Sequence, residues 1–113
     1  MKVVAVVGLA KEARMAKRFG LTPVVGAGNS KLLARRLKAL GPDVRGIVSF
    51  GLAGALAPIP EVGNALIGTH VVTEREHYAC DPGWSRILRT KLPVALSVVV
   101  AGVEEPAQHM GAK

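Results

Sequence analysis

Few residues of this 113-residue chain have the type and placement to do chemistry, and they gather at small-residue turns. Glu12 follows the aliphatic run Val3–Val7 and begins a helical pattern. A carboxylate there can activate water, bind a hydroxyl or stabilise the first helical turn. Arg14, two residues on, is either an anion clamp or a solvated helix residue. Gly8, the pair Gly26 and Gly28, and the turn Gly51-Leu52-Ala53-Gly54 each follow an aliphatic run. Lacking a Cβ, glycine lets a backbone N–H come close to a sugar or phosphate, although such glycines more often serve turn geometry. Helices that start just after two of these turns bring positive dipole ends. His77-Tyr78 and Asp81, with Trp84 close behind, form a second cluster that can line a pocket or pin a loop.

Other chemistries lack their residue sets. His70, His77, His109 and Cys80 are not spaced as metal ligands, so no metal is expected. Ser49 has no histidine and aspartate in triad order. Gly26-x-Gly28 misses the third glycine of a dinucleotide fingerprint, and no Walker lysine pattern occurs. Cys80 is the only cysteine, which rules out an internal disulfide and suits a reducing cytoplasm.

The elements that must position these residues read as an alternating pattern. Val3–Val7 is a buried strand, and residues 11–19 form a short amphipathic helix that Gly20 stops. Thr22–Val25 is a second strand. Asn29 or Ser30 caps a helix whose Leu32, Leu33, Leu37 and Leu40 share one face, ended by Gly41-Pro42. Residues 46–50 form a third strand and 55–64 a proline-containing loop. Residues 65–67 and 71–73 are strand pieces with a bend at Gly68. Asp81 caps a helix with Trp84, Ile87 and Leu88, and Val94–Val100 is the last strand. This order predicts a single α/β domain with a largely parallel sheet, followed by a flexible polar tail over residues 102–113.

Composition agrees with that class. Half the residues are hydrophobic and only 4% aromatic, so the core must be aliphatic, as in parallel strands covered on both faces. The mean hydropathy of +0.33 suits such strands, or a surface covered by a partner. The net charge of +7 raises nucleic acid as a partner, but the cations are dispersed and no aromatics interleave with them for base stacking. No stretch is long and apolar enough for a membrane span, and the N-terminal run lacks a signal-peptide cleavage site. A cytoplasmic location without membrane or nucleic-acid partners is the expectation.

Taken in series, these segments resemble the nucleoside phosphorylase/nucleosidase superfamily. The segment Gly51-Leu52-Ala53-Gly54-Ala55-Leu56-Ala57-Pro58, then Val62-Gly63-Asn64, is similar to the family's S-A-G-G-like turn and its loop with a V-G-D-like end. Val7-Gly8-Leu9-Ala10-Lys11-Glu12-Ala13-Arg14 is similar to its first strand and acidic helix start, and Val25-Gly26-Ala27-Gly28-Asn29 to its second glycine-rich turn. Tyr78-Ala79-Cys80-Asp81-Pro82-Gly83-Trp84 resembles the hopanoid-biosynthesis-associated branch. Leu52 stands where serine is frequent, and Asn64 where aspartate is usual.

The resemblance implies a phosphorylase-type α/β/α sandwich with a mostly parallel mixed sheet, and cleavage of a purine nucleoside's N-glycosidic bond. It implies no cofactor, with phosphate as co-substrate if the reaction is phosphorolysis, and it allows a homo-oligomer. A hopanoid-linked adenosyl substrate would follow from the branch. Glu12 would handle the attacking water; Gly8, Arg14, Gly26, Gly28, Ala53, Gly54, Tyr78 and Asp81 would contact substrate. The family's second half carries an M-E-S- or M-E-A-like motif that grips the ribose, and a later aspartate that protonates the purine. Val98–Val103 resembles the strand before that half, and residues 105–113 its approach. The resemblance thus implies a truncated N-terminal half, inactive or nearly so alone. A non-catalytic nucleotide-binding or assembly module is the alternative, and a basic anion- or nucleic-acid-binding domain a third.

Overall fold

The computed structural model describes residues 2–54 and 63–102, so residues 55–62, with most of the proline-containing loop, and the tail 103–113 lie outside the described residues. The chain divides into two units, Met1–Ala53 and Gly54–Lys113.

In the first unit, β1 (Lys2–Val7), β2 (Thr22–Val25) and β3 (Val44–Ser49) form a parallel sheet in the order β2-β1-β3. The central strand is the most apolar of the three, and Val4 and Ala5 are wholly buried. Side chains alternate between the two faces of a strand. One face of β1 therefore presents Ala5 and Val7, which pack with Ala13 and Ala16 of α1 (Ala10–Arg18) and with Val25 and Val48. Alanines on that side of α1 let the helix backbone approach the sheet closely. The opposite face presents Val4 and, across the ladder, Val24, both buried.

α2 (Ser30–Lys38) is capped by Asn29, whose side-chain oxygen accepts the Leu32 N–H at 3.0 Å. Leu32, Leu33, Leu37 and Leu40 are each half-buried, as their spacing predicts. β2 is an edge strand, which is why it tolerates Pro23, a residue with no N–H to give to a ladder. The Arg36 guanidinium reaches back to donate to the carbonyl of Val25 at 2.6 Å.

The second unit has the order β5-β4-β6. β4 (Leu66–Val72) is central, antiparallel to β5 (His77–Ala79) and parallel to β6 (Leu96–Ala101), with α3 (Pro82–Lys91) between β5 and β6 in the chain. The two strand pieces expected around Gly68 are one strand, and its irregularity lies one residue later. The β4–β6 register slips between Gly68 and His70, which leaves Thr69 as the extra residue. β5 is a strand that the sequence pattern does not predict. It forms because Thr73 closes a turn: its Oγ1 accepts the N–H groups of Arg75 and Glu76, and its own N–H donates to the Glu76 carbonyl. Three residues are too few to display a period. The last strand starts at Leu96 rather than Val94, whose side chain is 88% exposed.

The described strands thus build two three-stranded sheets where the pattern of elements suggests one. Both edges of β4 are already taken, by β5 and β6, so β4 has no edge left for β3. The described architecture is mixed α/β with three helices. Among the described residues no helix is long and apolar enough to cross a membrane.

Candidate functional site

Parallel pairing brings the ends of β1, β2 and β3 to one sheet edge, the side on which open α/β sheets bind ligands. There the β1 ladder finishes: Val6 O accepts from Phe50 N at 3.0 Å and Val7 O from Gly26 N at 2.9 Å. The next N–H groups, those of Gly8 and Leu9, have run past the strands and need another acceptor.

Glu12 supplies it. It is the third residue of α1, and its Oε1 accepts from Gly8 N and Leu9 N, both at 3.1 Å. The bond to Leu9 is one half of a capping box, since Leu9 is the N-cap and has no side-chain oxygen to return the favour. Oε2 turns the other way and accepts from Leu52 N at 3.2 Å, forty residues along the chain beyond β3. One half-buried carboxylate therefore ties the end of β1 to the end of β3. A carboxylate has about four acceptor sites. Three are occupied, and Oε2 retains one.

Gly51 makes this junction possible. A Cβ built there would lie 2.6 Å from Glu12 Oε2, and its φ of +153° is one that side chains with a Cβ rarely adopt. Two of the residues whose N–H groups bond the carboxylate carry exposed apolar side chains, Leu9 at 55% and Leu52 at 92%. Neither Gly51 nor Leu52 is distinguished by residue type as a partner of Glu12. Their signal was a glycine turn after an aliphatic run, but only the 2-1-3 strand order makes that turn a neighbour of Glu12.

The other predicted residues have varied placements. Gly8 donates to Glu12, as above. Arg14 is exposed on α1 and makes no hydrogen bond or ion pair among the described residues. Gly26 is buried, its N–H is taken by Val7, and Leu33 lies 3.4 Å from where its Cβ would be, so close packing accounts for it. Gly28 has φ +74° next to Ala27 at +50°, a left-handed turn that leads into α2. Ala53 and Gly54 are exposed, while the rest of their motif up to Val62 is outside the described residues.

Tyr78 and Asp81 belong to the second unit. The Asp81 carboxylate is occupied as the cap of α3, accepting Trp84 N–H at 2.8 Å. Tyr78 lies on β5, half exposed. Its phenol titrates above the ordinary 10.0, first because the Glu76 carboxylate holds its proton, with desolvation and repulsion from the same charge adding to it. The folded chain thus binds this proton more tightly than the open chain, so its contribution to stability falls as pH rises beyond 10.0. Ultraviolet titration of the single tyrosine will show a midpoint above that of free tyrosine, and Glu76→Gln will bring it down. A midpoint unmoved by that substitution would contradict the pairing.

Among the described residues no group of three or more His, Cys, Asp or Glu is placed to hold a metal ion. Comparison with protein-family models, curated proteins and solved structures returned no match for this chain.

Proposed function

We propose that the chain contributes the nucleoside-binding edge of a phosphorylase- or nucleosidase-type enzyme that cleaves the N-glycosidic bond of a purine nucleoside, built on the family's α/β/α sandwich. The observation that carries this reading is the Glu12 carboxylate, fixed between the ends of β1 and β3 with one acceptor site left on Oε2 and bonded to the backbone of two exposed leucines. A nucleoside combines the two features such a place would select: hydroxyls that donate to a carboxylate and a flat, largely apolar base.

In the proposed reaction Oε2 accepts a hydrogen bond from the attacking water or from a ribose hydroxyl. Three backbone N–H groups hold that oxygen pair still, so no reorganisation is needed as positive charge grows on the sugar. Water adds at the anomeric carbon while the carbon–nitrogen bond breaks and its electron pair leaves with the base. The base must be protonated as it departs. The ribose-gripping glutamate and purine-protonating aspartate of the family have no recognised counterpart in these 113 residues. The proposed share of the Glu12 edge is binding and positioning of the nucleoside.

A second reading is favoured by the same carboxylate. With three of about four acceptor sites spent on backbone, Glu12 also suits a non-catalytic nucleoside-binding module in which it is a structural tie.

Titrating adenosine into the chain while following amide resonances tests both. Saturable shifts at Gly8, Leu9 and Leu52 are expected, together with little or no adenine release. Absence of shifts there would overturn both readings. Adenine release that disappears in Glu12→Gln would reject the module and place the reaction within this chain.

A further inference from the structure

The second unit contains a depression of about 180 Å³ lined by Thr69, His70, Ala79, Cys80, Pro82, Ser85 and Arg89. No acidic side chain lines it. Ser85, on the first turns of α3, is only 7% exposed, yet its hydroxyl makes no hydrogen bond among the described residues. The usual partner of a helical serine is the carbonyl four residues back. That carbonyl, Asp81 O, accepts the Ser85 N–H at 3.0 Å, and the Ser85 hydroxyl does not share it. Thr90 on the same helix makes that bond, its Oγ1 donating to Arg86 O at 3.0 Å. No fully enclosed side-chain oxygen lacks a partner among the described residues, so the Ser85 oxygen meets solvent, and Ser85 lines the depression. Arg89 is four residues further on and therefore on the same face of α3.

His70 directly follows the irregularity of β4 and lines the same depression. Thr69 Oγ1 donates its one proton to the carbonyl of Val98 at 3.2 Å, and the same oxygen lies 3.2 Å from His70 Nδ1. A carbonyl can only accept and a hydroxyl has one proton, so both bonds form together only when Nδ1 is the donor in the second. In that tautomer Nε2 carries the free lone pair.

We propose that this depression is a binding site for a small oxyanion of the phosphate class, a free phosphate or the phosphate group of a small metabolite. Ser85 and Arg89 donate to its oxygens, and His70 Nε2 accepts the proton that hydrogen phosphate still carries. Arg89 supplies the charge complement, and an oxyanion oxygen replaces solvent at the Ser85 hydroxyl, which has no protein partner. The nearest acid in the chain, Asp81, has its Oδ2 on the Trp84 N–H. The site lies wholly within the second unit and does not rest on the reading of the Glu12 edge.

Titration of inorganic phosphate into the full chain at pH 8, followed by amide resonances and calorimetry, tests the proposal. Saturable shifts at Thr69, His70, Cys80 and Ser85 are expected. Ser85→Ala and Arg89→Met should each weaken binding roughly tenfold or more, the loss of one hydrogen bond to a charged partner. Sulfate, with no proton to give Nε2, should bind about tenfold more weakly than phosphate, and His70→Phe should erase that preference. Ribose 5-phosphate binding more tightly than inorganic phosphate would identify a metabolite's phosphate group as the occupant; the reverse would identify the free ion. Shifts that are unsaturable, or wild-type affinity in folded Ser85→Ala and Arg89→Met, would overturn the site. Equal affinity for phosphate and sulfate would overturn the assignment to phosphate. Should either variant fail to fold, the wild-type chain still decides: phosphate must slow alkylation of Cys80, the lone thiol, and unchanged alkylation refutes the proposal.

Discussion

Replacing Glu12 by alanine will lower the stability of the first unit by about 2 kcal/mol and abolish adenosine-dependent shifts at Gly8, Leu9 and Leu52. Three backbone N–H groups lose their acceptor at once, two at the end of β1 and one beyond β3. A hydrogen bond to a charged group contributes about 1.5–3 kcal/mol where water is excluded. Here Glu12 is half-buried and the strand ends are exposed, so water re-solvates part of what is lost and the three bonds do not sum. The alanine is itself a good helix former, so α1 persists. Urea titration followed by β1 amide resonances would measure the loss. Glu12→Gln, which keeps an oxygen but turns a second donor toward the N–H groups, should fall between wild type and Glu12→Ala. Wild-type stability in Glu12→Ala would mean that the tie carries no load in solution.

Substituting Gly51 by alanine will cost a similar amount, about 2 kcal/mol, for two separable reasons. The added methyl would stand 2.6 Å from Glu12 Oε2, so the carboxylate must leave Leu52 or the turn must move. The backbone at φ +153° is also unfavourable for any residue with a Cβ, a strain of order 1 kcal/mol or more. A double-mutant cycle separates the two, because contacting residues do not add. In the Glu12→Ala background the steric part vanishes, and Gly51→Ala should cost only about half as much. Strict additivity would show that Gly51 and Glu12 do not press on each other.

These two residues also mark how far the sequence could be read. Gly8 and Glu12 are four positions apart, and a helix start after a short strand makes their contact local. Residue type and spacing suffice to nominate Glu12, and equally to suggest the helix-start role it has toward Leu9. Leu52 is forty residues away. Its N–H finds Glu12 only because β3 crosses to the far side of β1 from β2, an ordering no local pattern contains. Tyr78 and Asp81 illustrate the converse. Their proximity in sequence suggested a pocket wall, yet Asp81 is spent on capping α3, and Tyr78 stands half exposed on a short strand. Caps and turns compete for the same polar side chains that ligand sites use, and one sequence cannot say which competitor wins.

The same division holds for the elements. Apolar runs, leucine spacing and the caps at Asn29 and Asp81 determined the strands β1, β2 and β3 and all three helices to within a few residues, because those signals are set by neighbours in the chain. β5 escaped because three residues carry no period, and it exists only through pairing with β4. The extra residue at Thr69 is likewise a property of the β4–β6 ladder, although Gly68 hinted at it. Strand order, the tie from Glu12 to Leu52, and the shared depression of His70, Ser85 and Arg89 were decided by tertiary structure alone. Each depends on which edges and faces meet, and that is settled by the packing of distant segments rather than by local propensity.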